Sequence, residues 1–164
     1  MNLSGLNFAS LLDELQKKKF NGYLAICVKG ISGLEEGTVL FDTGKFVGCH
    51  YEYLSFNRKY AGSDAFQRII NAVSAPQGVI DLVLLQQDQI HLTLAVNEDL
   101  VFVPPESDLK RIKPDKFSPF FEDQIKNKPK EEKQDLLKKF KLGGLKKMAS
   151  NKSEALDKLE EDAG

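Results

Sequence analysis

Two apolar runs, "TVLF" at Thr38–Phe41 and "FVGCHYEY" at Phe46–Tyr53, lie either side of the short polar stretch that begins Asp42-Thr43-Gly44. Only a tight reversal joins segments this close, so the pair predicts an antiparallel hairpin with a three-residue turn and glycine at a positive φ. The stretch "FDTGKFVG" also sets a glycine beside a lysine, as a phosphate-binding loop does. That loop requires G-x-x-x-x-G-K and then Ser or Thr, so that backbone amides cradle phosphate and a hydroxyl binds magnesium. Here six residues separate Gly37 from Gly44, and Lys45 is followed by Phe46. Both halves of the motif fail, and the hairpin reading carries no nucleotide and no other cofactor.

The elements around the hairpin follow from period. Phe8, Leu11, Leu12 and Leu15 recur at helical spacing, with Asn7 placed to cap the N-terminus and Lys17-Lys18-Lys19 at the negative end of the dipole. "NGYLAICVKG" opens with a turn pair and then alternates: Leu24, Ile26 and Val28 on one face, Tyr23, Ala25 and Cys27 on the other. Both faces are mostly apolar, which predicts a central strand. "ISGLEEG" reads as a loop, and the hairpin strands complete a three-strand meander. "RKYAGSDAFQRIINAVSAPQG" returns to helical spacing through Ala65, Ile69, Ala72 and Val73, and Pro76 with Gly78 stops it. "GVIDLVLL" is a fourth strand. Residues 88–103, "DQIHLTLAVNEDLVF" and the valine after it, fit either period; Asp88 as a cap and Pro104-Pro105 as a stop favour the helix. The order α-β-β-β-α-β-α is α+β, an antiparallel sheet of about four strands covered by two to three helices.

Length and charge divide the 164 residues. Residues 1–103 hold 8 basic and 11 acidic side chains, whereas Lys110–Lys147 holds 13 basic and 6 acidic. Apolar periodicity stops near Val103, which divides the chain into an α+β domain at 1–103, a Pro- and charge-rich linker at 104–130, and a charged, partly helical or disordered tail at 131–164. Two cysteines make no disulfide framework, and a reducing compartment is expected. The start shows no basic region followed by an apolar one, and no apolar run approaches a membrane span, so a soluble, cytoplasmic protein is expected.

The phrases "LLDELQ", "NGYLAI", "VLFDTGKFVGC", "SDAFQRII" and "PQGVIDLVL" together resemble the PATAN-type domain, a module of bacterial signalling proteins, and a related group of uncharacterised archaeal proteins. The likeness covers roughly residues 4–103 and rests on turn glycines and core positions. It departs at Gly48-Cys49-His50. It implies an interaction or signalling-scaffold module, with a signalling or small-GTPase component as a partner, and brings no catalytic residues with it.

Chemistry-bearing residues are few. Cys27, Cys49 and His50 lack the paired spacing of a zinc site. Cys49 and His50, as strand neighbours, point to opposite faces, which parts thiol from base. Glu35-Glu36 reads as a solvated turn, and Glu98-Asp99 as a helix end. The stretch "YEYLSFNRKY" mixes aromatics with Arg58 and Lys59. Tyr51, Tyr53, Phe56 and Arg58 are the candidate anchors for a partner, and Phe140 is a further one on the amphipathic segment Lys133–Phe140. The expectation is a non-catalytic module binding another cytoplasmic protein, with a homodimer left open. Peripheral membrane or nucleic-acid binding through the basic segment Lys110–Lys147 and the aromatic patch Tyr51–Tyr60 is the alternative.

Overall fold

The computed structural model of the protein describes residues 1–3, 5–110, 112 and 116–127. Helix α1 (Phe8–Lys17) buries Phe8, Leu12 and Leu15, and Asn7 Oδ1 accepts the Ser10 N–H at 3.1 Å, the expected cap. Strands β1 (Gly22–Lys29), β2 (Leu34–Asp42) and β3 (Lys45–Tyr53) form the meander. β1 lies opposite β2 from Gly22↔Phe41 to Lys29↔Leu34, and β2 opposite β3 from Asp42↔Lys45 to Glu35↔Tyr53. Because Asp42 already pairs with Lys45, the turn has two residues and not three. Thr43 (φ 51°) and Gly44 (φ 79°) both take the left-handed conformation that matches the twist of a two-residue hairpin.

A short strand, β4 (Arg58–Ala61), precedes helix α2 (Gly62–Ala72). β5 (Gly78–Leu84) and helix α3 (Gln87–Val96) follow, then two short helices, α4 (Glu106–Lys110) and α5 (Phe120–Asn127). The fold is α+β, with an antiparallel sheet of five strands ordered β4-β3-β2-β1-β5 where about four were expected. The extra strand is "RKYA", assigned from sequence to the approach of α2. Four residues are too few to display an alternating pattern, yet Tyr60 and Arg58 pair with Tyr51 and Tyr53. β1 is interior, as its two apolar faces require: Leu24, Ile26 and Val28 are fully buried and Tyr23, Ala25 and Cys27 half-buried.

α3 settles residues 88–96 as helix, but its cap is Gln86 and not Asp88, and it ends at Val96. A short 3-10 turn at Glu98–Leu100 and a bridge from Val101 to Gly48 fill the rest of the stretch before the prolines. The apolar residues of α3 split between two sides. Ile90 is fully buried, whereas Leu92 and Val96, one turn apart, are 64% and 69% exposed. No helix among the described residues is long and apolar enough to cross a membrane.

The first compact unit runs from Met1 to Glu122, beyond the expected boundary at 103. Ile112 is buried, Ser118 exchanges two hydrogen bonds with the Asn71 side chain (2.8 and 3.0 Å), and Glu122 is buried. These are single anchors in a polar segment, so they leave no periodic trace. Asp123 opens a second unit, of which the remainder of α5 is the described part.

The two sheet edges differ. Along β5, Met1 N donates to Ile80 O (2.6 Å), Ile80 N to Met1 O (2.8 Å), and Leu3 N to Gly78 O (3.0 Å). Both backbone groups of Ile80 therefore point away from the sheet. Strand alternation points those of Leu82 and Leu84 outward as well, where no residue among those described meets them.

A test of the hairpin follows. A Cβ on Gly44 would lie 2.7 Å from Gln16 O and 2.9 Å from Leu15 O, in addition to the strain of positive φ. Gly44→Val is expected to lower stability in urea unfolding by at least about 1 kcal/mol. Lys45→Ala is expected to change it by less than about 0.5 kcal/mol. Equal stabilities for the two variants would refute the turn geometry.

Candidate functional site

β3 sends Cys49, Tyr51 and Tyr53 to one side of the sheet, where α2 packs, and all three are buried. The rings interlock edge to face: Tyr51–Tyr53 at 5.2 Å, Tyr53–Tyr60 at 6.0 Å and Tyr53–Phe56 at 6.5 Å between centroids. The structure thus brings Tyr51, Tyr53 and Phe56 together, with Arg58 opposite Tyr53 in register. It turns Tyr51 and Tyr53 inward, which takes these two out of the set of exposed partner anchors. Tyr51 and Tyr53 are core; Phe56 and Arg58 are half-buried. The period-2 alternation that makes β3 a strand places 51 and 53 with the apolar side, and burying two rings outweighs exposing them. Phe140 lies outside the described residues.

The tyrosines surround a group that the sequence reading left in solvent. β2 begins at Leu34, so Glu35 belongs to the strand and shares the inward parity of Val39; it is 2% exposed. This corrects the solvated-turn reading of Glu35. Its Oε2 accepts the Tyr51 hydroxyl at 2.5 Å. Its Oε1 faces the carboxyl of Glu122, itself 3% exposed. Glu122 accepts the Ile31 N–H at 2.7 Å and the Ser32 N–H at 3.0 Å, both from the β1–β2 turn. The space for two carboxyls exists because residue 30 is glycine: a Cβ there would overlap Glu35 and press on Glu122.

Two ionised carboxylates in one dry pocket repel each other, and no N–H or O–H donor among the described residues reaches Glu35 Oε1. A proton between the acids removes both penalties. Burial, and then the hydrogen bond to Glu122, accordingly push the Glu35 carboxyl up to about 8 from the ordinary 4.5, partly opposed by Tyr51. Burial and the negative charge of Glu35 raise the Tyr51 and Tyr53 hydroxyls well above their usual range. Arg68, 6% exposed, stands nearby with its guanidinium 3.5 Å above the Tyr60 ring and 4.9 Å from that of Phe121, while Nη1 donates to Asp64 O at 2.8 Å. None of these three charged residues carried a sequence signal of its own. For Glu35, extending the alternation of "TVLF" backwards through Gly37 would have found it.

A neutral carboxylic acid is the kind of group that enzymes use as a proton donor. Here it faces protein on every described side. A cleft of about 850 Å³ lies elsewhere, between α1, the β2–β3 turn and residues 103–109, over Leu12, Phe41 and Phe46. Lys45 and Gly44 border it, together with an Asp13–Lys17 pair at 2.6 Å. Cys49 donates its S–H to Gly62 O at 3.1 Å, burial pushes its thiol up to about 12, and His50 points to the other face, as expected. Exposed His91 meets Asp42 at 3.0 Å and thereby holds that carboxyl below its usual range. Among the described residues no group of three or more His, Cys, Asp or Glu could hold a metal ion.

Compared with known families, residues 2–97 match the model of the family described as "Uncharacterized protein conserved in archaea" (DUF2226). No curated protein and no solved structure matches the chain.

The carboxyl pair gives stability a pH dependence of definite sign. Glu35 binds its proton more tightly folded than unfolded, so its contribution is complete below about pH 4.5 and is lost as pH rises through about 8. Within that window the loss approaches about 1.4 kcal/mol per pH unit. Urea unfolding at pH 6, 7, 8 and 9 is expected to show falling stability, and Glu35→Gln to flatten the fall. A wild-type protein equally stable at pH 6 and 9 would contradict the assignment.

Proposed function

The chain belongs to this archaeal family, and we propose that it is a non-catalytic protein-interaction module that receives an extended segment of a partner on the open half of β5. One observation carries this reading. The outward N–H and C=O groups of Leu82 and Leu84 are unmet among the described residues, and their side chains are 39% and 78% exposed.

Open edges template the addition of further strands, and proteins usually blunt them with charge, shortness or cover. The β4 edge is four residues long and carries Arg58 and Lys59. The first half of β5 is covered by Met1–Leu3. The second half, Asp81–Leu84, has a single charge and three consecutive apolar residues. Strand addition draws affinity from main-chain hydrogen bonds and specificity from alternate side chains. The PATAN-like turns support a place in a signalling assembly of the cytoplasm, with a small-GTPase component among the candidate partners; this step rests on resemblance.

The test is affinity capture from the source organism, comparing the wild type with a Leu82→Lys/Leu84→Lys variant. The variant is expected to retain partner about tenfold less well, about 1.4 kcal/mol, with an unchanged unfolding temperature. Equal capture by both proteins would sink the edge reading. Capture of nucleic acid or anionic vesicles, with affinity falling steeply as salt rises, would transfer the function to the basic segment Lys110–Lys147.

A further inference from the structure

Glu122 is the only group for which the described structure combines three properties: it is buried, it is acidic, and it lies at the far end of a polar segment. The two sides of its contact differ in how firmly they are held. Glu35 sits in β2, which is hydrogen-bonded along both edges, to β1 and to β3. The segment ending in Glu122 is tied down by the Ser118–Asn71 pair, by Phe121 against Arg68, and by the two turn amides of Ile31 and Ser32. Whatever drives the carboxyls apart therefore moves Glu122 before it moves Glu35.

We propose that the Glu35–Glu122 contact is a proton-operated clasp, which holds the segment ending in Glu122 against the β1–β2 turn and releases it when the shared proton is lost. The balance is simple. The proton passes from the carboxyl pair to bulk water, and two carboxylates remain in a pocket that accommodated one. Glu122 regains hydration by leaving, and it frees the Ile31 and Ser32 amides and the Arg68 face as it goes.

The other charged groups around the pair fit this assignment. Tyr51 and Tyr53 on β3 keep their protons well above the working range. Arg68 on α2 is held by the Tyr60 and Phe121 rings and by Asp64 O. Arg58 on β4 lies opposite Tyr53 and is already engaged. The β1–β2 turn offers Glu122 uncharged N–H donors, and on α5 itself Asp123 and Lys126 are exposed.

The 164-residue chain contains no tryptophan, so Phe121→Trp in this whole chain gives a single tryptophan beside the clasp. Its emission is expected to change with a midpoint near pH 8. Glu35→Gln in the same background is expected to abolish the transition between pH 6 and 10, because the amide still donates to Glu122 and accepts from Tyr51 without titrating. Tyr51→Phe is expected to move the midpoint upward, since the hydroxyl favours the ionised form of Glu35. If Phe121→Trp does not fold, hydrogen exchange of residues 116–127 in the unsubstituted chain serves instead. Corrected for intrinsic rates, protection at pH 9 is expected to be about tenfold lower than at pH 7, one pH unit above the midpoint, and equal at both in Glu35→Gln. No transition in either measurement would overturn the clasp. A transition that survives Glu35→Gln, or a midpoint that ignores Tyr51→Phe, would overturn it too.

Discussion

The register of the β1–β2–β3 meander is the constraint on which the remaining features rest. Strand side chains alternate with a period of two, so a slip of one residue would turn Leu24, Ile26 and Val28 outward together with Val39, Tyr51 and Tyr53. The apolar members fix which way every residue of the same parity points, Glu35 included. A carboxyl is thereby carried into the interior by its neighbours and not by any preference of its own. The cost of burying it charged explains the rest of the pocket: a tyrosine hydroxyl on one oxygen, a second acid across from the other, and a glycine at position 30 that leaves room. A chain of cause runs from hydrophobic periodicity to a shared proton, and from the proton to the attachment of a distant segment.

How much of this was legible depended on whether a feature was periodic. α1, the central character of β1, the hairpin, the body of α2, and β5 follow from repeated patterns reinforced by caps and turn residues. α3 is a helix as expected, but Gln86 and not Asp88 caps it, and it ends at Val96, well before the proline pair. β4 escaped because four residues cannot repeat anything, and the start of β2 escaped because two acids between glycines resemble a turn. Residues 104–122 read as linker because Ile112, Ser118 and Glu122 each make an isolated contact. Such contacts are set by tertiary geometry, where a sequence window records only polarity.

The candidate site was half visible for a related reason. Tyr51, Tyr53, Phe56 and Arg58 do form one cluster, and sequence proximity was enough to group them. Composition alone says nothing about which side of a sheet a mixed aromatic and basic stretch occupies. Amphipathic rings serve equally at an interface or around a buried polar atom, and here the Tyr51 hydroxyl has Glu35 to serve. The proposed partner-binding role accordingly rests on surfaces whose polar groups are unmet among the described residues, chief among them the second half of β5.

The double-sided character of α3 has a consequence for how this protein fails. Ile90, Leu92, Leu94 and Val96 alternate with no lysine, arginine, acid or proline among residues 90–96, which is the pattern of a strand held as a helix by its surroundings. Its local support is the Gln86–Gln89 capping box at the N-terminus, and once the chain unfolds the alternating segment regains a β tendency. Identical copies of such a segment can then stack edge to edge. Where such stacking outruns refolding, thermal loss becomes irreversible, and survival at high temperature is set by the rate of unfolding and not by an equilibrium midpoint.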